Sequence, residues 1–315
     1  MQVNKINFKR ERDFSAVFSD SLAFIKQNFK GLFGSILLIA GPFLLIAGLS
    51  IGYVQGLSSG GALTRSFISE GRLDLTSLYL SLGIGILFAF IANAVVVSTT
   101  YEYMLLYDAK LPGEKVLISE VGRKVFAGVW RIIGSILLLS VVFGIIGGVI
   151  ALAAIGIGGG LGIFGGVLLV LLMVAFVLIL GPVMIYYFPA GFFVTVRDKI
   201  NIFSALGTVR QYMKGSFWWT WLIIVVAYIC LLICRVVFSL PATIVSGVET
   251  FSRIRSFGMS EPSDSSILLT ILYTISTVLS STTSAIMLVI CAFNFMGHEE
   301  KHEGTGLMSR IEEIK

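Results

Sequence analysis

Six long apolar runs divide the chain, and polar segments separate them. Each run holds about 20 residues or more, which as an α-helix crosses the roughly 30 Å hydrocarbon core of a bilayer. The runs cover Leu32 to Val54, Leu78 to Thr100, Ile132 to Ile155, Ile163 to Phe188, Phe217 to Leu240 and Ser266 to Met296. This pattern predicts an all-α polytopic membrane bundle, six transmembrane helices in a single membrane domain, with a polar segment before it (1–31), the bundle itself (32–296) and a polar tail after it (297–315).

The polar segments between the runs also show a helical pattern. Apolar residues recur at helical spacing in Phe14 to Phe29, in Ile118 to Val129 and in Phe203 to Phe217, opposite a polar face. Such amphipathic stretches are typical of helices that lie in the membrane interface. We therefore predict three interfacial helices. Because each precedes an odd-numbered span, three parallel hairpin repeats are a further hypothesis.

Lys and Arg are distributed unevenly among the connections. Eighteen lie in residues 1–31, 101–131, 189–216 and after 296, whereas four lie in the other three connections. Short loops rich in Lys and Arg stay in the cytoplasm, and Trp and Tyr settle at headgroup level. The span ends on the Lys-rich side also carry aromatic residues, namely Trp130, Trp218, Trp219, Trp221, Tyr101, Tyr103, Tyr186 and Tyr187. Both termini are predicted in the cytoplasm.

Composition excludes several classes of protein. At 56% hydrophobic and 13% charged residues, with a mean hydropathy of +0.94, the chain is not an ordinary water-soluble protein. Its three Cys lie in apolar runs, both of its His lie in the polar tail, and no acidic residue falls inside a run. These features predict no cofactor and no catalytic residue. The net charge of +5 is accounted for by topology and by anionic lipid headgroups, so membrane lipids, but not nucleic acid, are predicted partners.

One motif points to metal chemistry. His298-Glu299-Glu300-Lys301-His302 matches H-E-x-x-H, in which two His one helical turn apart bind zinc. The stretch is highly charged, Gly304 follows it, and no third ligand is evident. We therefore interpret it as a solvated tail, with His298 and His302 as a weak metal candidate.

Two other features have both a structural and a functional interpretation. Arg235 is the one charge inside a run; its side chain either reaches the outer interface or contacts a ligand. Gly41-Pro42 and Gly181-Pro182 interrupt the first and fourth runs. Proline frees a carbonyl one turn back, so the pairs either kink packed helices or mark a cavity.

Polar and small residues inside the runs form the last group of candidates. Asn93, Asn294 and the hydroxyl residues near them either bond between helices or line a polar path. Gly144 and Gly148 are spaced as in small-residue contact faces. The Gly-rich stretch 156–162 is predicted to be the turn between the third and fourth spans.

The N-terminal residues carry a family resemblance. Phe8-Lys9-Arg10-Glu11-Arg12-Asp13-Phe14, followed by Phe24 to Lys30 and Ala40-Gly41-Pro42, resembles bacterial six-span proteins similar to the membrane domain of some glycerophosphodiester phosphodiesterases. The resemblance covers mainly residues 1–45 and brings no catalytic residue with it. It implies a bacterial inner-membrane protein that acts with separately encoded partners.

Two functions follow from these observations. The first is a non-catalytic scaffold or accessory subunit that associates with partner membrane proteins, with a second copy of itself or with lipids. The second is a transporter or lipid-handling permease with a cavity near the Gly-Pro breaks. An intramembrane enzyme is a weaker third hypothesis, because buried His, Asp and Glu are scarce.

The predicted topology is testable by thiol labelling. In a variant whose native Cys are replaced, single Cys at Asn7 and at Lys315 should both resist a membrane-impermeant maleimide in intact cells and react after permeabilisation. Cys at Ser66, in the first outward connection, should react in intact cells. Labelling of Asn7 and Lys315 from opposite faces would contradict an even number of spans.

Overall fold

All regular secondary structure in the described part of the chain is helical. The computed structural model describes residues 5–59, 75–255 and 265–304. The helices in these ranges are α1 (Phe14–Ile39), α2 (Gly41–Ser59), α3 (Leu75–Ala109), α4 (Ile118–Asp198), α5 (Ile202–Met213), α6 (Phe217–Arg255) and α7 (Ser265–Glu303). Five stretches, in α1, α3, α4, α6 and α7, are long and apolar enough to cross a membrane. The chain is therefore a multi-pass helical membrane protein.

Helix α4 contains a reversal of direction. Its 81 residues would form a rod of about 120 Å if the helix were straight. The rings of Phe143 and Phe188, however, lie 5.2 Å apart, whereas a straight helix would hold them roughly 70 Å apart. The chain must turn back between them, as the third and fourth predicted spans require. Residues 156–162, where the turn between the third and fourth spans is predicted, lie within this part of α4, and their backbone is helical.

The first predicted interfacial helix and the first span meet without a break. Helix α1 begins after Asp13, whose carboxylate accepts a hydrogen bond from the Ala16 N–H at 2.8 Å, a typical N-cap. It then continues to Ile39, and the break comes at Ala40, directly before Gly41-Pro42. Because Pro42 lacks an N–H, it is tolerated in the first turn of α2 but not in mid-helix. The helix therefore runs through the predicted boundary at residue 31 without a break.

One of the three predicted interfacial helices is a separate element. The stretch from Ile118 to Val129 is the start of α4, with no break before the span. By contrast, α5 is a distinct helix of 12 residues, which Lys199 precedes in the left-handed conformation and Gly215 follows at φ 89°. The three stretches therefore do not repeat one local structure.

The helices pack in the order α4, α3, α2, α7 and α6. One end of this bundle carries the N-terminal segment 5–13, the loops 110–117, 199–201 and 214–216, helix α5 and the last two turns of α7. Long-range bonds hold these parts together, such as that from Lys5 Nζ to the Asp108 carbonyl at 2.6 Å. We call it the polar end.

Small residues bring helices close together in the middle of the bundle. A Cβ added at Gly52 would lie 2.7 Å from the carbonyl oxygen of Thr270, and one at Gly48 would lie 3.0 Å from Thr274 Cγ2. Helices α2 and α7 therefore touch at their backbones. Among the described residues, a Cβ at Gly144 or Gly148 would meet nothing within 4 Å, so the described part of the chain gives this pair no helix contact.

Tyrosines do not form the predicted interfacial belt. Trp130, Trp218 and Trp219 are exposed, in keeping with headgroup contact, but Tyr101, Tyr103 and Tyr186 are buried. The Tyr101 hydroxyl donates to the Pro189 carbonyl at 2.8 Å. These tyrosines are part of the core near the polar end.

The α2–α7 contact gives a stability prediction. Gly52→Ala should destabilise the protein by about 1–3 kcal/mol, because the new methyl group meets backbone. Gly83→Ala, where nothing lies within 4 Å, should stabilise it by about 0.5–1 kcal/mol through helix propensity. Thermal unfolding in detergent measures both, and a stabilising Gly52→Ala would contradict the described contact.

Candidate functional site

A buried arginine fastens the N-terminal segment to the bundle. The Arg12 side chain is 0% exposed and bonds Asp20 at 2.8 Å and the Phe8 carbonyl at 3.0 Å. Its guanidinium lies 4.8 Å from the centre of the Phe293 ring. Burial lowers the pKa of Arg12, although Asp20 opposes this effect. The segment before α1 is thus a fixed part of the polar end.

Aromatic rings complete this attachment. The Phe8 ring lies 5.2 Å from Phe293, 5.8 Å from Tyr107 and 6.0 Å from Phe24. Ring pairs at these distances stabilise beyond their buried area. They join the N-terminal segment to α1, α3 and α7.

A second arginine ties α4 to α7. Arg197 bonds both carboxylate oxygens of Glu299, at 2.6 and 2.7 Å, and Asp198 Oδ1 at 2.8 Å. Burial disfavours the charged guanidinium, but the hydrogen bonds to Glu299 and Asp198 outweigh it, and the pKa of Arg197 lies above its ordinary value. Such bidentate pairs between a guanidinium and a carboxylate fix the relative orientation of the two groups.

The H-E-x-x-H motif belongs to the packed structure. Helix α7 continues to Glu303, so the interpretation of this stretch as a solvated tail was wrong. His298 is buried, its Nε2 lies 3.0 Å from Thr220 Oγ1, and the His302 ring contacts Tyr212. Among the described residues, no group of three or more His, Cys, Asp or Glu is placed to hold a metal ion. The motif joins α7 to α5 and α6.

A cavity of about 330 Å³ lies at the polar end between α3 and the two arms of α4. Glu102, Lys124, Arg131 and Lys199 line it, as do the hydroxyl residues Ser98 and Thr195. Both hydroxyl oxygens are buried and have no hydrogen-bond partner. Four cations, Arg197 among them, and one carboxylate thus line a cavity together with two residues whose buried hydroxyls nothing in the described structure satisfies. We call this space the cationic cavity.

A second cavity, of about 560 Å³, lies between α1 and the loop 110–117. Its lining hydroxyls are already bonded: that of Tyr103 to Asn28 at 3.2 Å and that of Tyr107 to Gln27 at 3.3 Å. Lys5 donates to backbone carbonyls. The polar groups of this cavity are therefore largely satisfied by the protein itself.

The predicted site residues in the spans are not brought together. Arg235 is exposed, and α6 does not end at Leu240 as predicted but continues through Pro241 to Arg255. Asn93 is also exposed, whereas Asn294 is buried and its Nδ2 has no partner. Several hydroxyls of α7 bond their own helix, for example Thr277 to the Tyr273 carbonyl at 2.8 Å.

The two Gly-Pro pairs differ. Gly41-Pro42 follows the end of α1, whereas Gly181-Pro182 lies inside α4, in the part between Phe143 and Phe188 in which the chain reverses. None of the four cavities described at this end is lined by Gly41, Pro42 or Gly181. The breaks therefore give no common cavity there.

Sequence reasoning missed the residues that build the polar end. Phe8 and Arg12 belong to the segment that carries the family resemblance, but the sequence predicted no structural role for either. Ser98 was read as one of several span hydroxyls, and Thr195 was not singled out. The available signal was the run Ser98-Thr99-Thr100, which ends two positions before Glu102, beside the Lys-rich connection.

Comparison with known proteins adds no relative. No protein-family model matches the chain, no curated protein matches it, and no solved structure matches it.

The Arg197–Glu299 pair gives a prediction. Glu299→Gln should lower stability by about 1–3 kcal/mol, because a mostly buried guanidinium loses a charged partner. Glu114→Gln is the control. It removes the same charge from a salt bridge whose Glu114 side chain is 53% exposed, so it should leave the unfolding temperature unchanged. Thermal unfolding of both variants in the same detergent makes the comparison. Equal effects would contradict a structural role for the pair.

Proposed function

We propose that the chain is a non-catalytic scaffold or accessory subunit of a bacterial inner membrane. Both termini lie in the cytoplasm, and the polar end docks partner membrane proteins, a second copy of the chain, or anionic lipids. The resemblance of the N-terminal residues to the membrane domain of glycerophosphodiester phosphodiesterases supports a separately encoded partner.

The observation that carries this proposal is that charged groups at the polar end join separate elements. Arg12 holds the N-terminal segment, and Arg197 with Glu299 holds α4 to α7. Charged groups held in such ion pairs stabilise the surface and are not available for catalysis. Around them, exposed cations remain at Lys9, Arg10, Lys26, Lys30, Lys115, Arg123, Arg210 and Lys214.

A fixed basic surface favours docking by charge complementarity. Positive surfaces attract anionic headgroups and acidic partner surfaces, and they raise the rate of association. The permease hypothesis depended on paired Gly-Pro breaks that open a cavity. Because none of the four cavities described at the polar end is lined by Gly41, Pro42 or Gly181, we do not propose transport.

Copurification tests the proposal. The protein extracted from native membranes in mild detergent should carry a stoichiometric partner or a second copy. A Lys26→Glu, Lys30→Glu double variant should reduce that recovery about tenfold, since like charges then face the partner. Arg255→Glu, at the other end of α6, is the matched control. A monomer without partner, unaffected by either variant, would overturn the scaffold proposal.

A further inference from the structure

We infer that the cationic cavity binds the phosphate group of an anionic glycerophospholipid. The inference rests on the proposed function and deepens it, because it names a lipid ligand and the residues that recognise it.

Two residues that line the cavity carry buried hydroxyls that have no hydrogen-bond partner among the described residues. Ser98 is 2% exposed and Thr195 is 0% exposed, and neither hydroxyl oxygen has a partner. Buried polar groups in folded proteins are almost always hydrogen-bonded, so an unsatisfied one calls for an explanation such as a ligand. Two such hydroxyls lining one cavity point to an occupant that accepts hydrogen bonds.

The positive charge around the cavity favours an anionic ligand. Lys124, Arg131 and Lys199 form no salt bridge with any described residue. Arg197, which also lines the cavity, is engaged by Glu299 and Asp198 and is not counted here. The three remaining cations face one carboxylate, Glu102, so the site retains positive charge. A phosphate supplies acceptor oxygens for both cations and hydroxyls.

The surroundings of the cavity favour a lipid as the source of the phosphate. Trp130, next to Arg131, is 74% exposed, and Phe126 is exposed on the same arm of α4. Exposed Trp is typical of the headgroup level of a membrane protein. Basic pockets between transmembrane helices bind lipid headgroups. The cavity therefore lies where a lipid phosphate is already concentrated.

Glu102 adds a preference among headgroups. Its carboxylate lines the same cavity and repels an unaccompanied phosphate. A phosphoglycerol headgroup places hydroxyl donors beside its phosphate, and these donors match the carboxylate. Phosphocholine offers no N–H or O–H donor. The cavity should accordingly prefer phosphatidylglycerol to phosphatidylcholine.

Binding can be measured on the full chain in detergent after delipidation. The probes are phosphatidylglycerol, phosphatidylcholine and inorganic phosphate, with native mass spectrometry and unfolding temperature as readouts. Lys124→Gln should weaken phosphatidylglycerol binding by about tenfold, the usual cost of one charge-assisted contact. Its control is Arg255→Gln, an exposed cation at the other end of α6 that does not line the cavity.

A second variant separates binding from folding. Thr195→Val replaces an unsatisfied hydroxyl by a methyl group of the same size, so the lipid-free protein should unfold at the same or a higher temperature. The stabilisation by phosphatidylglycerol should nevertheless shrink. Thr99→Val removes another buried hydroxyl without a partner that is not among the cavity-lining residues, and it should leave lipid binding unchanged.

Each outcome decides the inference. Weaker lipid binding in Lys124→Gln and Thr195→Val, with both controls as in the unaltered protein, supports it. Unchanged binding in the cavity variants overturns it, and so does binding of inorganic phosphate as tight as that of the lipid. Partner recovery, measured in parallel, is a separate readout: its loss with lipid binding intact overturns the scaffold proposal alone.

Discussion

Helices surrounded by lipid gain little free energy from hiding apolar side chains, because lipid tails are as apolar as leucine. Such a bundle depends on close packing and on polar contacts between helices. Polar contacts are concentrated near the polar end of this protein, where Arg12 and Arg197 reach across elements and where large buried aromatic side chains gather. A close backbone approach, that of α2 to α7 at Gly48 and Gly52, lies farther along the bundle. The two kinds of contact therefore hold different levels of the bundle together.

The apolar runs were sufficient to predict an all-helical membrane protein, because the length and hydropathy of each run show directly whether it can cross a lipid bilayer as a helix. They were not sufficient to locate contacts. Gly48 and Gly52 have the same spacing as Gly144 and Gly148 in the sequence, yet only the first pair meets another backbone within the described structure. Spacing shows that a close approach is sterically allowed, whereas the neighbouring helix decides whether it occurs.

The candidate site was less accessible to sequence reasoning for a similar reason. The cationic cavity combines Ser98 and Glu102 of α3, Lys124 and Arg131 of the first arm of α4, and Thr195 beyond the reversal. No short motif contains these residues. The cations were counted correctly, but a count cannot distinguish a charge that faces water from one that lines a cavity. His298 shows the converse error, since its charged neighbours suggested solvent while helix α7 carried it into a packed interface.

The length of α6 has a consequence for the side of the membrane opposite the polar end. Its 39 residues extend for about 58 Å, roughly twice the hydrocarbon thickness. Fitting this length within the bilayer would need a tilt near 60°, well outside the usual range of about 0–40°. Part of α6 therefore lies at or beyond the membrane interface, and Pro241, inside the helix, is a point at which the axis bends readily because proline removes a helical hydrogen bond. Residues 242–255 can thus take a direction of their own, different from that of the membrane-crossing part of the same helix.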